Sequence, residues 1–191
     1  MIALYQIRWH GRGGQGAVTA AKMFGMAAAL QGDCFAQSFP AFGAERRGAP
    51  VQAFTKIDSG PILDRSQVSE PDAVVVLDPG LLQSIDVTAG LRPGGQLVIN
   101  CSRLPIVRLS LVKFDCTVVN ATAIALEMLG KPIANTAMAG ALCAVLNFVA
   151  LASIKRAIGE TLPAHLAAAN GKTAEAAFYE ALAWKKGARI A

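Results

Sequence analysis

The hydrophobic pattern at the start of the chain predicts a strand, a glycine turn and a helix in direct succession. In the strand predicted at residues 2–9, Tyr5, Ile7 and Trp9 alternate with the polar residues at 6, 8 and 10, which is typical of a strand with one buried face. Residues 17–30 have only Thr19 and Lys22 as clearly polar positions, so the predicted helix has almost no solvated face. Such a helix needs cover on both sides, and we expect it to end at Gly32.

The remaining pattern alternates strands with helices and indicates an α/β domain. The strongest strand signal is the β-branched run at residues 73–78, which is apolar on both faces as a central parallel strand should be. Ile62 and Leu63 are expected to form a short antiparallel partner of the strand at residues 51–57. The other predicted strands are residues 34–37, 96–100 and 115–119, and the other predicted helices are residues 81–82, 123–129, 153–158 and 162–186.

The segment at residues 137–154 is apolar except for Asn147 and Ser153. Its length, about 18 residues, reaches the threshold for a membrane span. We favour a buried helix instead, because the segment lies inside an α/β pattern and Asn147 interrupts the apolar run. Asn135 and Thr136 are expected to form the N-cap of this helix.

Composition indicates one domain that buries much of its surface against other chains. The length suits a single domain over residues 1–191, with the C-terminal helices from about residue 136 included. Charged residues make up only 16% of the chain, against an average of about 25%. We interpret this deficit as the mark of an obligate complex. The net charge of +5 is moderate and scattered, which argues against a nucleic-acid partner.

The cysteines and the N-terminus suggest a reduced, cytoplasmic protein. The four cysteines are widely separated and form no C-x-x-C pair, which excludes an iron–sulfur cluster or zinc knuckle built by this chain alone. We therefore expect all of them to be reduced and mostly buried. Residues 1–9 lack the apolar core of a signal peptide.

The turn after the first strand has the G-x-G-x-x-G spacing, with glycines at Gly11, Gly13 and Gly16. Glycine permits positive φ and close backbone approach, and a helix that begins there offers free N–H groups to an anion. The first hypothesis is therefore a phosphate-bearing ligand. One form of it is a stand-alone Rossmann-type dehydrogenase that binds NAD, but the acidic residue that usually follows the second strand is missing. A tight turn without a ligand has about equal weight.

Three arginines lie in or near glycine-rich segments. Arg12 is inside the turn, where it can bind phosphate or meet a carboxylate on a neighbouring chain. Arg46 and Arg47 precede Gly48 in a loop that could grip phosphate or carboxylate in a forked fashion. The alternative for this loop is a solvated segment in which Glu45 pairs with an arginine locally.

The sequence contains few groups for catalysis. Its two histidines are His10, beside the glycine turn, and His165, in the terminal helix. No nucleophile elbow, metal-ligand spacing or close carboxylate pair accompanies them. We interpret His10 as a hydrogen-bonded structural residue at the end of a strand. The chain is therefore not expected to perform chemistry without help.

Three motifs in series carry a resemblance to a known family. They are residues 8–16 (RWHGRGGQG), residues 39–50 (FPAFGAERRGAP) and residues 135–141 (NTAMAGA). In this order they closely resemble the gamma subunits of the 2-oxoacid:ferredoxin oxidoreductases, the pyruvate synthase group. Three motifs in series are far more specific than one glycine turn.

The resemblance implies a part in a larger enzyme. Enzymes of this family oxidatively decarboxylate a 2-oxoacid with coenzyme A to an acyl-CoA and carbon dioxide, and pass the electrons to ferredoxin or another acceptor. It implies partner subunits of alpha, beta and delta type, with thiamine diphosphate and Mg²⁺ on the alpha and beta subunits and [4Fe-4S] clusters on the delta-type subunit or a related chain. The gamma chain itself is expected to hold no cofactor or metal and to contribute no catalytic residue.

The resemblance also implies a fold and a site. The fold is a three-layer αβα Rossmann-like domain with a mainly parallel, mixed sheet and a C-terminal helical extension. The site would help to receive coenzyme A, whose phosphates suit the glycine turn and the arginine pair, or it would only contact a partner subunit. The candidate contact residues are Gly11, Arg12, Gly13, Gly14, Gln15, Gly16, Arg46, Arg47, Gly48, Asn135 and Thr136.

Overall fold

One six-stranded sheet forms the centre of the fold. The computed structural model describes residues 3–41, 48–103 and 113–187. Within these ranges the strands are β1 (Tyr5–Arg12), β2 (Phe35–Pro40), β3 (Pro50–Asp58), β4 (Ala73–Val76), β5 (Gln96–Asn100) and β6 (Asp115–Val119). Their order across the sheet is β2-β3-β1-β4-β5-β6.

The sheet is mixed and mainly parallel, as predicted. β1, β4, β5 and β6 are parallel neighbours, whereas β3 pairs antiparallel with both β1 and β2. Among the described strands only β3 therefore runs against the others. β4 has a parallel partner on each side and is buried along its whole length, which confirms the predicted central strand.

Helices cover one face of the sheet more heavily than the other. The described helices are α1 (Ala17–Ala29), α2 (Leu81–Ser84), α3 (Ala121–Leu129), α4 (Asn135–Leu146), α5 (Leu151–Thr161) and α6 (Ala164–Lys185). α1, α4, α5 and α6 pack on one face around a large core that includes Trp9, Phe24 and Met138. The opposite face has a smaller core around Leu97 and Ile99, covered by the short α2 and irregular segments. The three predicted layers are present, with one thick outer layer and one thin one.

The most apolar helices lie between the sheet and the C-terminal helices. α1 packs against β2 and β3 on one side and against α4 and α5 on another, as its scarcity of polar positions predicts. In α4 every residue from 135 to 145 is buried. The C-terminal helices thus complete the main core.

The apolar run at residues 137–154 is divided between two helices. α4 ends at Leu146, Asn147 has a left-handed φ of 61°, and α5 begins at Leu151. The expectation of one helix is therefore wrong, because a left-handed residue ends a helix. The expected N-cap is also wrong, since Ala134 is the N-cap and Asn135 is already helical. Across the described ranges, no helix combines the length and the apolar character that a membrane crossing requires.

The predicted strand at Ile62 and Leu63 is absent, and residues 61–68 form an irregular segment. The segment is held by Lys56, which is buried and whose Nζ lies 2.5 Å from Asp64 Oδ2. Lys56 Nζ also donates to the Asp64 carbonyl at 3.2 Å. The segment at residues 61–68 is therefore attached to the sheet through the buried side chain of Lys56 and not through backbone pairing.

The cysteines are all free, as expected, but their burial differs from the prediction. Cys143 is buried, whereas Cys34, Cys101 and Cys116 are only half-buried. The half-buried positions lie at the margins of the two cores. The sequence shows which elements are apolar but not how deep each position lies.

α4 and α6 approach closely at Gly140 of α4, and this contact gives a test of the packing. A Cβ added there would lie 2.0 Å from the carbonyl oxygen of Ala174 in α6. We expect Gly140→Ala to lower the free energy of unfolding by at least about 2 kcal/mol, because backbone atoms of α6 cannot move aside cheaply.

Urea unfolding of the purified chain measures this effect, with Gly159→Ala as the matched control. Gly159 lies in α5 and a Cβ there meets nothing within 4 Å. This control is expected to raise the free energy of unfolding by about 0.5–1 kcal/mol, the usual gain of alanine over glycine in a helix. Equal stabilities of the two variants would contradict the proposed close packing.

Candidate functional site

The glycine turn lies at the carboxyl end of β1, beside the carboxyl end of β4. In the strand order β1 has β3 on one side and β4 on the other, so the chain connections diverge at this point. Ligands of α/β proteins bind in the crevice where the strand order diverges in this way. The fold therefore places the turn at the position where a ligand is expected.

The turn is shorter than its glycine spacing indicates. Gly11 is part of β1, where it pairs with Val51 of β3. Its lack of a side chain lets α1 approach, because a Cβ there would lie 3.2 Å from Ala17 Cβ. Gly14 and Gly16 have φ values of 95° and 80°, which require glycine. Positive φ is thus needed at the second half of the motif only.

Backbone hydrogen bonds join the turn to the segment before β3. Gly13 N–H donates to the Ala49 carbonyl at 2.9 Å, and Gly48 N–H donates to the Gly13 carbonyl at 3.1 Å. Arg12 Nη1 donates to the Gly48 carbonyl at 3.2 Å. The structure therefore brings Gly48 to the turn, as the candidate site requires.

The side chains of the turn converge on Asp78, which the sequence analysis did not place in the site. Asp78 Oδ2 accepts from Arg12 Nε at 3.0 Å and from Gln15 Nε2 at 2.8 Å. Gln15 Oε1 in turn accepts from Arg12 N–H at 2.7 Å. Arg12 thus pairs with a carboxylate of its own chain. The available signal was an acidic residue directly after the buried strand β4.

Asn135 of α4 packs directly against Gly16. A Cβ at Gly16 would lie 2.6 Å from Asn135 Nδ2, so the N-termini of α1 and α4 meet at this glycine. Asn135 is 8% exposed, and its Oδ1 accepts from Thr136 N–H at 2.8 Å. The Thr136 hydroxyl is turned to the α4–α6 interface, where it donates to Asn170 Oδ1 at 3.0 Å. Of the two α4 candidates, only Asn135 contacts the turn with its side chain.

The start of α1 offers backbone donors beside a cavity. Among the described residues, the N–H groups of Ala17, Val18 and Thr19 have no hydrogen-bond acceptor, as expected for the first turn of a helix. They border a cavity of about 290 Å³. Its lining comprises Arg12, Gly13, Gly14, Gly16, Ala17, Val18, Thr19 and Val51. Such donors at a helix N-terminus suit an anion.

Of two further features of the sequence hypotheses, one lies outside the described residues and the other is absent from them. Arg46 and Arg47 lie outside the described residues, so their position relative to the turn stays a prediction. The acidic residue that an NAD site needs after the second strand is absent from residues 35–41, because Asp33 precedes β2 and Pro40 ends it.

His10 is buried next to the turn. It is 1% exposed, and its Nε2 accepts from Arg8 Nε at 3.1 Å. No described residue pairs with its buried Nδ1. Burial, and secondarily the Arg8 charge, lower the pKa of His10 to about 3. His10 is therefore neutral at physiological pH and sealed from solvent, in agreement with a structural role.

The depressed pKa of His10 makes stability depend on pH. The unfolded chain takes up a proton on this residue below pH ~6.5, whereas the folded chain does so only near pH 3. Stability from this group is complete above pH ~6.5 and falls as the pH drops. Between pH 7 and pH 5 we expect His10 to account for a loss of about 2 kcal/mol in the free energy of unfolding.

Urea unfolding at both pH values measures this loss. His10→Gln should remove it, whereas His165→Gln, at an exposed position, should keep the wild-type dependence. An identical pH dependence in wild type and His10→Gln would show that His10 is not buried in its neutral form.

Comparison with known proteins identifies the family. A model of the pyruvate ferredoxin/flavodoxin oxidoreductase family matches residues 6–180. The common gamma subunit of the pyruvate/ketoisovalerate oxidoreductases of Thermococcus kodakarensis is 48% identical, over 95% of this chain and 100% of that protein. The pyruvate synthase subunit PorC of Methanocaldococcus jannaschii is 47% identical, over 94% of this chain and 98% of that protein.

A solved structure agrees with these relatives. The crystal structure of the pyruvate oxidoreductase subunit PORC of Thermotoga maritima has a TM-score of 0.78 and 36% identity, over 93% of this chain and 97% of that chain. Nothing in these similarities supports a stand-alone NAD-dependent dehydrogenase. The chain belongs to the pyruvate ferredoxin/flavodoxin oxidoreductase family, as a gamma subunit of its 2-oxoacid oxidoreductases.

Proposed function

We propose that this chain is the non-catalytic gamma subunit of a cytoplasmic enzyme that converts a 2-oxoacid and coenzyme A into an acyl-CoA and carbon dioxide, with electrons passing to ferredoxin. The relatives support this proposal, since they are named as subunits of pyruvate/ketoisovalerate oxidoreductases and of pyruvate synthase. Partner subunits of alpha, beta and delta type would hold thiamine diphosphate, Mg²⁺ and [4Fe-4S] clusters. Thiamine diphosphate supplies the carbanion chemistry when it is bound to those partners.

The role of this chain would be to receive the phosphate groups of coenzyme A at the glycine turn. The observation that carries this proposal is the row of unpaired N–H groups at residues 17–19, next to a cavity that Arg12 lines. At about 290 Å³ the cavity suits a phosphate or diphosphate group but not the whole of coenzyme A. The remaining parts of coenzyme A would lie against partner subunits.

Arg12 can take part without a change of conformation. Its Nε is held by Asp78 and its Nη1 by the Gly48 carbonyl, so the guanidinium is fixed in orientation. The Nη2 group has no hydrogen-bond partner among the described residues and remains available to an anion. A fixed guanidinium loses little side-chain entropy when it binds phosphate.

A non-catalytic role is supported by the state of the titratable groups around the turn. His10 is buried and neutral, with a pKa lowered to about 3, so it cannot exchange protons with a ligand in the cavity. Asp78 accepts hydrogen bonds from Arg12, Gln15 and Gly80 N–H, which occupy its carboxylate. The described groups at this turn are therefore suited to binding and orientation rather than to proton transfer.

The arginine pair provides the test of this proposal. In the assembled enzyme, Arg46→Ala with Arg47→Ala should raise the KM for coenzyme A about tenfold or more, because each lost charge-assisted hydrogen bond costs about 1.5–3 kcal/mol. The rate of 2-oxoacid decarboxylation without coenzyme A should stay at the wild-type level. Steady-state kinetics and release of carbon dioxide from a labelled 2-oxoacid measure the two quantities.

The matched control removes two positive charges elsewhere. Arg156→Ala with Lys186→Ala changes exposed positions in α5 and after α6 and should leave the KM for coenzyme A unchanged. If the arginine-pair variant also keeps the wild-type KM, these arginines do not belong to the coenzyme A site.

A further inference from the structure

The outer strand of the sheet, β2, presents unpaired backbone groups to its outside. Ala41 N–H donates to the Gln52 carbonyl of the neighbouring segment, and β2 and β3 pair antiparallel in this same register. Because hydrogen-bonded pairs alternate along an antiparallel ladder, Phe39, Gln37 and Phe35 also direct their backbone groups to β3. Ala36 and Ser38 must therefore direct their N–H and C=O groups away from the sheet.

Nothing in the described part of the chain covers these groups. No hydrogen bond reaches the backbone N–H or C=O of Ala36 or Ser38 from residues 3–41, 48–103 or 113–187. The stretch from residue 34 to residue 41 also contains no charged side chain. Native proteins protect such edges with charges, proline, bulges or a covering segment. Among the described residues, Pro40 protects the edge at the next outward position, but the backbone groups of Ala36 and Ser38 stay open.

The two faces beside this edge differ in character. On one face Ala36 and Ser38 lie close beneath α1, since a Cβ at Gly25 would lie 2.5 Å from Ser38 Oγ. On the other face two large apolar side chains are exposed, Phe35 by 51% and Leu63 by 91%. The outward backbone of Ala36 and Ser38, with Phe35 and Leu63, is called the β2 edge below.

The position of Leu63 is fixed by its neighbours. Asp64 is held by the buried Lys56, as described above. Gln37 of β2, with its amide oriented to suit its partners, donates to the Asp64 carbonyl at 3.0 Å and accepts from Arg65 Nε at 3.1 Å. Leu63 is therefore attached beside β2, although little of its own side chain is buried. Together with Phe35, Leu63 gives this face two exposed large apolar side chains.

We propose that the β2 edge pairs with an extended segment of another subunit of the same oxidoreductase, which adds a strand to the sheet. Only an extended backbone presents donors and acceptors at the spacing that Ala36 and Ser38 offer. On the side of Phe35 and Leu63 the added strand would have apolar side chains. On the side of α1 it would have small ones. The proposal rests on membership of the complex and not on the coenzyme A site.

A second copy of this chain is less suited to the β2 edge. The antiparallel pairing in which Ala36 and Ser38 of each copy bond only to one another has its two-fold axis at Gln37, with Ala36 opposite Ser38 of the other copy. This axis would bring the segments at residues 61–68 of both copies against one another, because each lies beside its own Gln37. A segment from a different subunit has no such obstruction.

The first experiment removes one outward donor from the full-length chain. Ala36→Pro deletes an N–H that β3 does not use, so the sheet of the chain itself should persist. The chain is co-expressed with the other subunits and its occupancy in the purified complex is measured by native mass spectrometry. We expect occupancy by Ala36→Pro to require at least tenfold more chain than wild type. The control Ala36→Ser keeps the N–H and should assemble normally.

A second variant keeps the proposal testable if Ala36→Pro misfolds. Leu63→Asp places a charge on the apolar face without touching the sheet, and Gln67→Asp places the same charge at another exposed position of the chain. We expect Leu63→Asp to weaken assembly at least fivefold and Gln67→Asp to leave it unchanged. Wild-type assembly by Leu63→Asp, or by a folded Ala36→Pro, would overturn the proposal.

Hydrogen exchange of the wild-type chain locates the contact. On assembly the N–H groups of Ala36 and Ser38 should become at least tenfold slower to exchange, whereas that of Gln37 is already protected by β3. Unchanged exchange at Ala36 and Ser38 would overturn the proposal. It would also be overturned if the purified chain formed a dimer that Ala36→Pro dissociates, because the occupant would then be a second copy.

Discussion

Close approach of backbones at a few glycines is the constraint on which the structure depends. Gly16 lies against Asn135, Gly25 lies against Ser38, and Gly140 lies against the carbonyl of Ala174. These contacts join α1 to β2 and α4 to both α1 and α6. A side chain at Gly140 would meet the backbone of α6, and one at Gly16 or Gly25 would meet the side chain of Asn135 or Ser38. Because the helices are this close, alanine-rich surfaces are sufficient to fill the main core.

The same packing determines what the glycine turn can do. The N-termini of α1 and α4 meet at Gly16, while Asp78 from the adjacent strand end orients Arg12 and Gln15. The result is a rigid turn with unpaired backbone donors and an oriented guanidinium. Such an arrangement can hold an anion in a defined place. Among the described groups beside it, His10 is buried and the Asp78 carboxylate is occupied by hydrogen bonds.

Periodicity predicted most of the fold, because the strands and helices of the main core are strongly patterned. The central strand β4 is buried on both faces and reads as a continuous apolar run, and the family resemblance placed Gly48 and Asn135 with the turn. The failures have local causes. Gly11 was assigned to the turn, yet the antiparallel partner β3 extends the ladder through it.

Long-range polar contacts were beyond the reach of periodicity. Lys56 and Arg8 alternate with apolar residues and look solvent-facing in the sequence, but irregular segments cover them. Asp78 ended the predicted strand at residues 73–78, and its partner, Arg12, is far away in sequence and is brought near only by the pairing of β1 with β4. The hydrophobic pattern shows which face of a strand or helix is apolar. Which segments cover that face depends on the topology of the chain.

We propose that this chain acts only as part of a larger enzyme. The most direct test is to purify the tagged chain from its native host and to determine both the mass of the intact assembly and its activity. We predict a hetero-oligomer that reduces ferredoxin in the presence of a 2-oxoacid and coenzyme A, and no turnover by the chain after it is separated from its partners. A separated chain that still converts the 2-oxoacid by itself would contradict the account.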